Sequence, residues 1–272
     1  MYSSSNILVH FVITICFLVI LTGCGTLKNG RGWGQDVTIL PGWRQIGDAA
    51  INATTAPQTW VPLAGALVLQ VGDMDKRLSN WASNHTPLFG SNHAAHDASS
   101  FFSEPTRYAY IVTMLATPSG DNPESWAIAK LKGFAVGTVA ISASNTTTNY
   151  LKRKTKRTRP DGSDDLSFPS LTTSNAAVNA TLASHNLDSC NLDEGARTAA
   201  KYGLFTLTTL TAWSRIEAKE HYPSDVLVGA ALGYFYGAFF NDAFLGLHKQ
   251  NDVNLIIEPA GNGFVIRIMW SF

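Results

Sequence analysis

Apolar residues recur at helical spacing along most of the chain, and short polar stretches separate the apolar segments. This pattern predicts helices over residues 43–56, 60–72, 73–83, 108–116, 126–144, 198–217 and 226–240. The third segment is amphipathic, and we expect Trp81 to lie on its inner face. The segment over residues 126–144 is apolar nearly all round but is interrupted by Lys130 and Lys132. It is therefore predicted to be a core helix rather than a membrane span.

The C-terminal residues have a different pattern. Residues 253–258 and 263–270 carry β-branched and aromatic side chains on either side of the turn-forming sequence Pro259-Ala260-Gly261-Asn262. Such a pattern is typical of a β-hairpin. The predicted fold class is therefore mainly α, a helical bundle with a small C-terminal β-hairpin.

Residues 85–100 are rich in Asn, His, Ala and Ser, and they are predicted to form a loop. His93 and His96 stand three residues apart, and Asp97 is adjacent, so the group could bind a metal ion. No third or fourth ligand is evident, and a solvated polar loop explains the same residues. No metal site is therefore predicted.

The N-terminus has the pattern of a secretory leader. Residues 7–21 are apolar apart from His10 and Thr14, and they are too short for a comfortable membrane span of ~20 residues. The sequence Leu21-Thr22-Gly23-Cys24 resembles the lipobox of bacterial lipoprotein precursors, which are cleaved before a cysteine that then carries lipid. Residues 1–6 contain no Lys or Arg, so an uncleaved membrane anchor is the alternative.

These patterns divide the chain into four parts: a signal peptide with lipobox over residues 1–23, a Gly-rich tether over 24–35, a helical domain over 36–248 and the hairpin over 249–272. The lipobox predicts lipidation at Cys24. The expected location is the bacterial cell envelope, with the body lipid-anchored and facing the periplasm, on the outer membrane.

Composition narrows the function classes. Charged residues make up 15% of the 272 residues, below the ~25% of ordinary soluble domains, which favours tightly packed apolar helices or a membrane. The formal net charge is zero, which argues against nucleic acid as the main partner. Cys16 lies inside the leader, Cys24 follows it, and Cys190 has no obvious partner, so no disulfide framework is available.

Residues 214–225 bring an arginine, a histidine and an aspartate together just before the apolar run over 226–240. Pro223 fits the first turn of a helix, which would place His221 just before that helix and Asp225 inside its first turn. A carboxylate there can hold one imidazole nitrogen and leave the other free to attack or to shuttle a proton. Arg215 offers a planar fork suited to an oxyanion. Taken alone, the run is equally explained by a helix–turn–helix with solvated charges.

Two further stretches bear on this run. Residues 151–160 are strongly basic and end in Arg159-Pro160; taken alone, they are explained by a basic helix end or a nucleic-acid patch. Residues 167–176 predict a loop that turns into a helix, with a proline near its start. The exposed backbone N–H groups at such a helix N-terminus form an anion site.

Together, the three stretches resemble the three-part signature of the type 2 phosphatidic acid phosphatase superfamily, which also includes bacterial acid phosphatases and vanadium haloperoxidases. The superfamily's first motif is Lys, six residues, Arg-Pro, and it is matched by Lys152 and Arg159-Pro160. Its third motif is Ser-Arg, five residues, His, three residues, Asp, and it is matched by Ser214-Arg215, His221 and Asp225. The order also fits, and the resemblance covers about residues 130–245. It implies the helical bundle of that superfamily.

The resemblance further implies a phosphatase that uses neither a metal nor another cofactor. The residues expected to bind phosphate are Lys152, Arg159, Arg215, Ser170 and Leu171, together with nearby backbone N–H groups. His221 would attack phosphorus to form a phosphohistidine, and Asp225 would fix the histidine tautomer. Water would then release phosphate.

The second motif departs from the superfamily pattern Pro-Ser-Gly-His, because the chain reads Pro169-Ser170-Leu171-Thr172. Thr172 stands where the superfamily's histidine protonates the leaving group, and losing a general acid typically costs ~10²–10⁴ in rate. Three outcomes are open. The substrate has a good leaving group such as a pyrophosphate, or the protein binds phosphate without efficient turnover, or another histidine substitutes, the candidates being His185, His93 and His96.

The predicted function is a membrane-tethered phosphatase that acts on phosphomonoester or pyrophosphate substrates, lipids among them, through a phosphohistidine. The first alternative is a catalytically weak lipoprotein that binds phosphate or phospholipid. A vanadate-dependent haloperoxidase is a weaker alternative, because that chemistry also relies on the second-motif histidine that Thr172 replaces.

Overall fold

The structure, a computed structural model, describes residues 25–27, 30–245, 254–260 and 263–269. These residues contain eight α-helices: Trp43–Thr55 (α1), Pro57–Val68 (α2), Met74–His85 (α3), Asn92–Ala116 (α4), Pro123–Thr155 (α5), Leu171–Ser189 (α6), Glu194–Glu217 (α7) and Pro223–Phe244 (α8). A short 3₁₀ helix, Val71–Asp73, precedes α3. The predicted mainly α fold is confirmed.

Helix α6 is the centre of the bundle, and it packs against α4, α5, α7 and α8. Its residues are buried on nearly every side, which agrees with a helix that has no polar face. The main core combines this helix with side chains from its neighbours, including Tyr110, Met114, Val136, Ala140, Val178, Leu182 and Leu204. The site described below lies at the N-terminal end of α6.

Three glycines on α8 allow it to approach α6 closely. A Cβ atom at Gly229 would lie 2.5 Å from the Ser170 carbonyl oxygen, and one at Gly233 would lie 2.3 Å from the Ser174 carbonyl oxygen. Gly237 faces Thr181 in the same way, at 2.8 Å. Because larger side chains would force the two helices apart, these glycines fix the distance between the start of α6 and the start of α8.

Two local predictions are wrong. Residues 85–100 do not form a loop throughout, because α4 begins at Asn92, where the Ser91 hydroxyl caps the helix by accepting from the Ala94 N–H at 3.1 Å. Trp81 does not face inward either. It is 47% exposed and stacks on the His85 ring, with 5.6 Å between ring centroids.

The described part of the predicted tether packs against the body instead of extending freely. Trp33 is buried, and its ring lies so close to Gly133 of α5 that a Cβ there would meet it at 2.2 Å. The backbone N–H of Trp33 also donates to the Pro118 carbonyl at 2.7 Å. The apolar indole explains this correction, since burying it outweighs the flexibility of the neighbouring glycines.

Helix α5 is long and apolar enough to cross a membrane, judged by length and composition alone. Its Lys130 side chain is buried, donates to the Met114 and Thr117 carbonyls at 2.5 and 2.6 Å, and lies over the Trp33 ring. Those carbonyls lie at the C-terminal end of α4, so the ammonium group satisfies acceptors that have no partner within the helix.

The two strands of the C-terminal hairpin, Asn254–Ala260 (β1) and Gly263–Met269 (β2), pair antiparallel as predicted.

Candidate active site

His221 lies in the short turn between α7 and α8, and it is 2% exposed. The Arg215 carbonyl at the end of α7 accepts from the N–H groups of both Glu220 and His221, each at 3.2 Å, which holds the turn. Pro223 begins α8 as predicted, and Asp225 lies in its first turn. The His221 Nδ1 atom faces the Asp225 carboxylate at 3.7 Å, which is longer than a hydrogen bond.

Burial lowers the pKa of His221 to about 4, and the nearby charges of Arg215 and Lys152 act in the same direction. The Asp225 carboxylate opposes this shift but does not cancel it. The imidazole is therefore neutral at pH 7, and a neutral imidazole has the free lone pair that a nucleophile needs.

Asp225 is completely buried and is held from several sides. It accepts hydrogen bonds from the Ser167 hydroxyl at 2.5 Å, the Tyr222 N–H at 2.8 Å and the Arg157 guanidinium at 2.7 Å. Burial alone would raise the pKa of Asp225, but the contacts with His221, Arg157 and Ser167 outweigh it and lower the pKa. The carboxylate facing His221 is thus ionised and fixed in position.

Arg157 and Asp75 complete this network, and the sequence did not single out either residue. Arg157 donates to Asp75 at 2.6 Å as well as to Asp225, and its guanidinium lies 4.0 Å from the centre of the Tyr222 ring. Asp75, on α3, also accepts from the N–H and the hydroxyl of Ser224 at 2.8 and 2.5 Å. We call these residues the inner network; they are Asp75, Arg157, Ser167, Tyr222, Ser224 and Asp225. The network fixes the start of α8.

The three cations expected to bind phosphate influence one another electrostatically around His221. Lys152 lies in the last turn of α5, is buried, and donates to the Leu166 carbonyl. Burial and then the positive charge of Arg159 lower its pKa to about 8. Burial, and again the charge of Arg159, lower the pKa of Arg215 to about 10. The charge of Arg159 therefore acts on both of the other cations at this site.

Arg215 is 8% exposed and is only partly satisfied by its neighbours. Its Nη1 donates to the Ser99 hydroxyl of α4 at 3.0 Å. Its Nε is buried and has no hydrogen-bond partner within the described residues. Such an unsatisfied guanidinium N–H is expected where an anionic ligand supplies the missing acceptor.

A carboxylate that the sequence reasoning missed lies between the two arginines. Glu220 contacts Arg215 through Oε2, and the same oxygen accepts from Arg159 Nη1 at 3.2 Å. Its other oxygen contacts His96 Nδ1. A carboxylate held by two guanidinium groups marks a place where those groups can bind a phosphate oxygen.

The second motif lies at the N-terminus of α6. The Ser170 hydroxyl is buried and caps that helix, accepting from the Thr173 N–H at 3.4 Å and from the Thr173 hydroxyl at 3.1 Å. Helical geometry leaves the N–H groups of Leu171 and Thr172 without intrahelical acceptors, as an anion site requires. Leu171 and Thr172 are partly exposed. The Ser170 N–H donates to the Asp225 carbonyl at 2.9 Å, which joins the second motif to the third.

The three histidines considered as substitutes for the missing general acid lie in different places. His96 reaches the site through Glu220, whereas His93 contacts Asp97 at 3.3 Å and is 89% exposed. His185 lies near the C-terminal end of α6, away from the second motif, and contacts Asn241 at 3.2 Å.

No group of three or more His, Cys, Asp or Glu side chains that could hold a metal occurs in the described part of the chain. Cys24 and the predicted leader lie outside the described residues.

Comparison with known proteins tests the resemblance. Residues 133–247 match the family model of the PAP2 superfamily. This segment belongs to the PAP2 superfamily. All three motifs lie within it, whereas Asp75, His96 and Ser99 precede it.

A solved structure extends the likeness beyond the matched segment. The chain is similar in fold to the transmembrane PAP2-type phosphatidylglycerolphosphate phosphatase from Bacillus subtilis, with a TM-score of 0.52 and 18% identity. The similarity covers 68% of this chain and 95% of that chain. No curated protein matches the sequence significantly. Superfamily membership supports a phosphatase-type function and a phosphorylated substrate, and α5 gives weak support for association with a membrane.

Proposed function

We propose that this PAP2 protein hydrolyses phosphomonoesters or pyrophosphates through a phosphohistidine on His221. The observation that supports the proposal is a buried, neutral imidazole on which the charges of Lys152 and Arg215 act, while Arg159 acts on both of those cations. Phosphoryl transfer depends mainly on positioning and on stabilising the charge of the transferred group, and this arrangement supplies both.

The reaction proceeds in two steps. The Nε2 lone pair of His221 attacks phosphorus, the bond to the leaving oxygen breaks, and that oxygen keeps the electron pair. Asp225, on the Nδ1 side, stabilises the positive charge that the imidazole gains. Water then attacks the phosphohistidine, the P–N bond breaks, and phosphate leaves. When substrate binds, its phosphate oxygens replace the Glu220 carboxylate as the partner of the Arg159 and Arg215 guanidinium groups, and they stay there during both steps.

A substrate panel tests the proposal. Purified protein would be assayed with an aryl phosphate, phosphatidic acid and a prenyl pyrophosphate, beside His221→Ala and the matched variant His93→Ala. We expect turnover that His221→Ala abolishes and His93→Ala leaves intact, since His93 is 89% exposed and lies outside the site. Turnover that survives His221→Ala would exclude the phosphohistidine mechanism.

Thr172 favours one alternative function, a protein that binds phosphate groups without efficient turnover. Vanadate binding by the unchanged protein, with no turnover of any substrate on the panel, would support this alternative. Thr172→His then tests whether a missing acid is the limitation. An increase of about 10²–10⁴ in rate identifies Thr172 as the cause.

We also propose that lipid on Cys24 anchors the body to a membrane of the bacterial envelope, on its periplasmic side. Ile39, Leu40 and Trp43 follow the anchor closely in sequence and are 84–89% exposed, which suits contact with a lipid surface. Cys24→Ser should move the protein from the membrane fraction to the soluble fraction and abolish labelling with fatty acid. Retention of Cys24→Ser in the membrane would support the uncleaved anchor instead.

A further inference from the structure

The first turns of α4 contact two residues of the candidate phosphate site, Arg215 and Glu220, although they precede the matched family segment. The buried Glu217 carboxylate accepts from the N–H groups of Leu88 and Phe89 at 3.0 and 3.1 Å, which fixes the loop before α4. Ser99 then accepts from Arg215 at 3.0 Å while it donates to the His96 carbonyl at 2.7 Å. The backbone of His96 is therefore tied to a phosphate-binding arginine.

The His96 side chain is tied to the same site by a second route. Its Nδ1 contacts one oxygen of Glu220, and the other oxygen of that carboxylate contacts Arg215 and Arg159. A single carboxylate group thus separates the imidazole from the guanidinium groups. Each of the other histidines outside the turn in the described part of the chain, His85, His93 and His185, contacts a group away from these cations.

We propose that His96 is a catalytic residue that protonates the leaving group in the reaction proposed above. This inference rests on that proposed function. With Nδ1–H donating to Glu220, the protonated ring has its Nε2–H available for transfer. The side chain is 61% exposed, which leaves room for a leaving group and lets solvent restore the proton.

The proton and electron balance is complete. As the P–O bond breaks, the leaving oxygen keeps the bonding electrons and takes the Nε2 proton of His96, so that an alcohol departs instead of an alkoxide. In the second step, neutral His96 accepts a proton from the water that attacks the phosphohistidine. The P–N bond breaks, and both histidines return to their starting states.

Leaving-group dependence is the measurement that tests this role. His96→Gln should lower kcat/KM for an alkyl phosphate by about 10²–10⁴-fold, because an alkoxide needs a proton to leave. The same variant should lower kcat/KM for p-nitrophenyl phosphate by less than about tenfold, because a nitrophenolate leaves without a proton and kcat/KM reports only on formation of the phosphohistidine. His93→Gln is the matched control on the same helix, and it should leave both rates unchanged. Imidazole added to His96→Gly should restore alkyl phosphate hydrolysis.

The outcomes separate this inference from the function on which it rests. Equal slowing of both substrates by His96→Gln, or no slowing of either, would overturn the role of His96 while turnover that depends on His221 still supports the phosphatase. If the unchanged protein hydrolyses a prenyl pyrophosphate but neither of these esters, the role of His96 is overturned while the phosphatase is supported. If it hydrolyses none of the three, both proposals are overturned. Slowing confined to the alkyl phosphate, with rescue by imidazole, supports His96 as the proton donor.

Discussion

Arg157 and Arg159 are separated by one residue, yet they lie in opposite electrostatic settings. Arg157 contacts two carboxylates, Asp75 and Asp225, whose side chains are 5% and 0% exposed. Arg159 contacts Asp164, which is 42% exposed, and it shares Glu220 with Arg215. The inner network thus has two carboxylates for one cation. The outer group has three cations, Lys152, Arg159 and Arg215, for the two carboxylates that its arginines contact, Asp164 and Glu220.

This difference separates a structural arginine from one suited to bind substrate. Exchanging Asp225 for phosphate would leave a buried carboxylate without its cation, at a large cost in free energy. Exchanging Glu220 for phosphate releases a group that is nearer the surface and adds an anion where positive charge is in excess. The setting of a basic residue, rather than its place in a basic run, therefore decides whether it can take part in anion binding.

The largest effect that we expect is on stability. Arg157→Gln should lower the free energy of unfolding by about 3–5 kcal/mol, because two buried carboxylates lose their cation. Urea denaturation provides the measurement. Arg159→Gln is the matched control and should cost about 1 kcal/mol or less, since Asp164 is 42% exposed and Glu220 keeps Arg215 as a partner. Equal losses in the two variants would contradict the distinction between inner and outer arginines.

The outer cations should affect catalysis more than stability. Arg215→Lys should lower kcat/KM by about 10²–10³-fold, because an ammonium group cannot replace the planar fork of a guanidinium. The control is Arg197→Lys, whose guanidinium contacts the Leu187 and Leu192 carbonyls far from the site, and it should leave kcat/KM unchanged. A loss of unfolding free energy in Arg215→Lys as large as that in Arg157→Gln would assign Arg215 a structural role.

A smaller effect is expected at Ser167, which donates to Asp225 within the inner network. Ser167→Ala should lower the free energy of unfolding at pH 7 by about 1.5–3 kcal/mol, the usual range for a hydrogen bond to a charged group. Because the folded-state pKa of Asp225 is lowered, its contribution is present at neutral pH and is lost as the carboxylate protonates in acid. The effect of Ser167→Ala should therefore shrink below about pH 4. Ser163→Ala, which removes an exposed hydroxyl–carboxylate contact, serves as the control and should show no such loss.

The smallest effect concerns the charge of Lys152, whose pKa is about 8. We expect kcat/KM for p-nitrophenyl phosphate, whose leaving group needs no proton donor, to fall about tenfold per pH unit above that value as the ammonium loses its proton. Lys152→Arg should remove this alkaline decline in kcat/KM, and an unchanged decline in the variant would assign it to another group.

The stability of the folded state should rise over the pH range in which kcat/KM falls. The unfolded lysine keeps its proton up to about pH 10.4, so the free energy of unfolding contributed by this group rises between pH 8 and that value.

Local sequence rules predicted much of the fold and the motif positions. Pro223 marks the start of α8, and the loop before Leu171 becomes a helix as expected, because a helix start depends on a few neighbouring residues. The helix that begins at Asn92 was missed, although Ser91 offered a capping signal. Polar composition concealed it, since the first turns of α4 are rich in Asn, His and Ser.

Contacts between distant parts of the chain were beyond such rules. Asp75 resembles any polar residue of an amphipathic helix until α3 meets Arg157, and the basic run gives no sign of which arginine turns inward. Glu220 precedes His221 directly, yet only the turn after α7 brings its carboxylate between Arg159 and Arg215. The partners of a charged side chain depend on packing among helices, which periodicity alone does not specify.

The placement of Asp75 and Ser99 has a consequence for dissecting this protein into parts. Both residues precede residue 133, where the superfamily match begins, yet they contact Arg157 and Arg215 inside it. A fragment limited to the matched segment would carry every signature motif while leaving Arg157 with a single counterion and Arg215 without its hydroxyl partner. We therefore expect the smallest autonomous unit of this fold to be larger than its recognisable signature, so that grafting or truncation must retain α3 and α4.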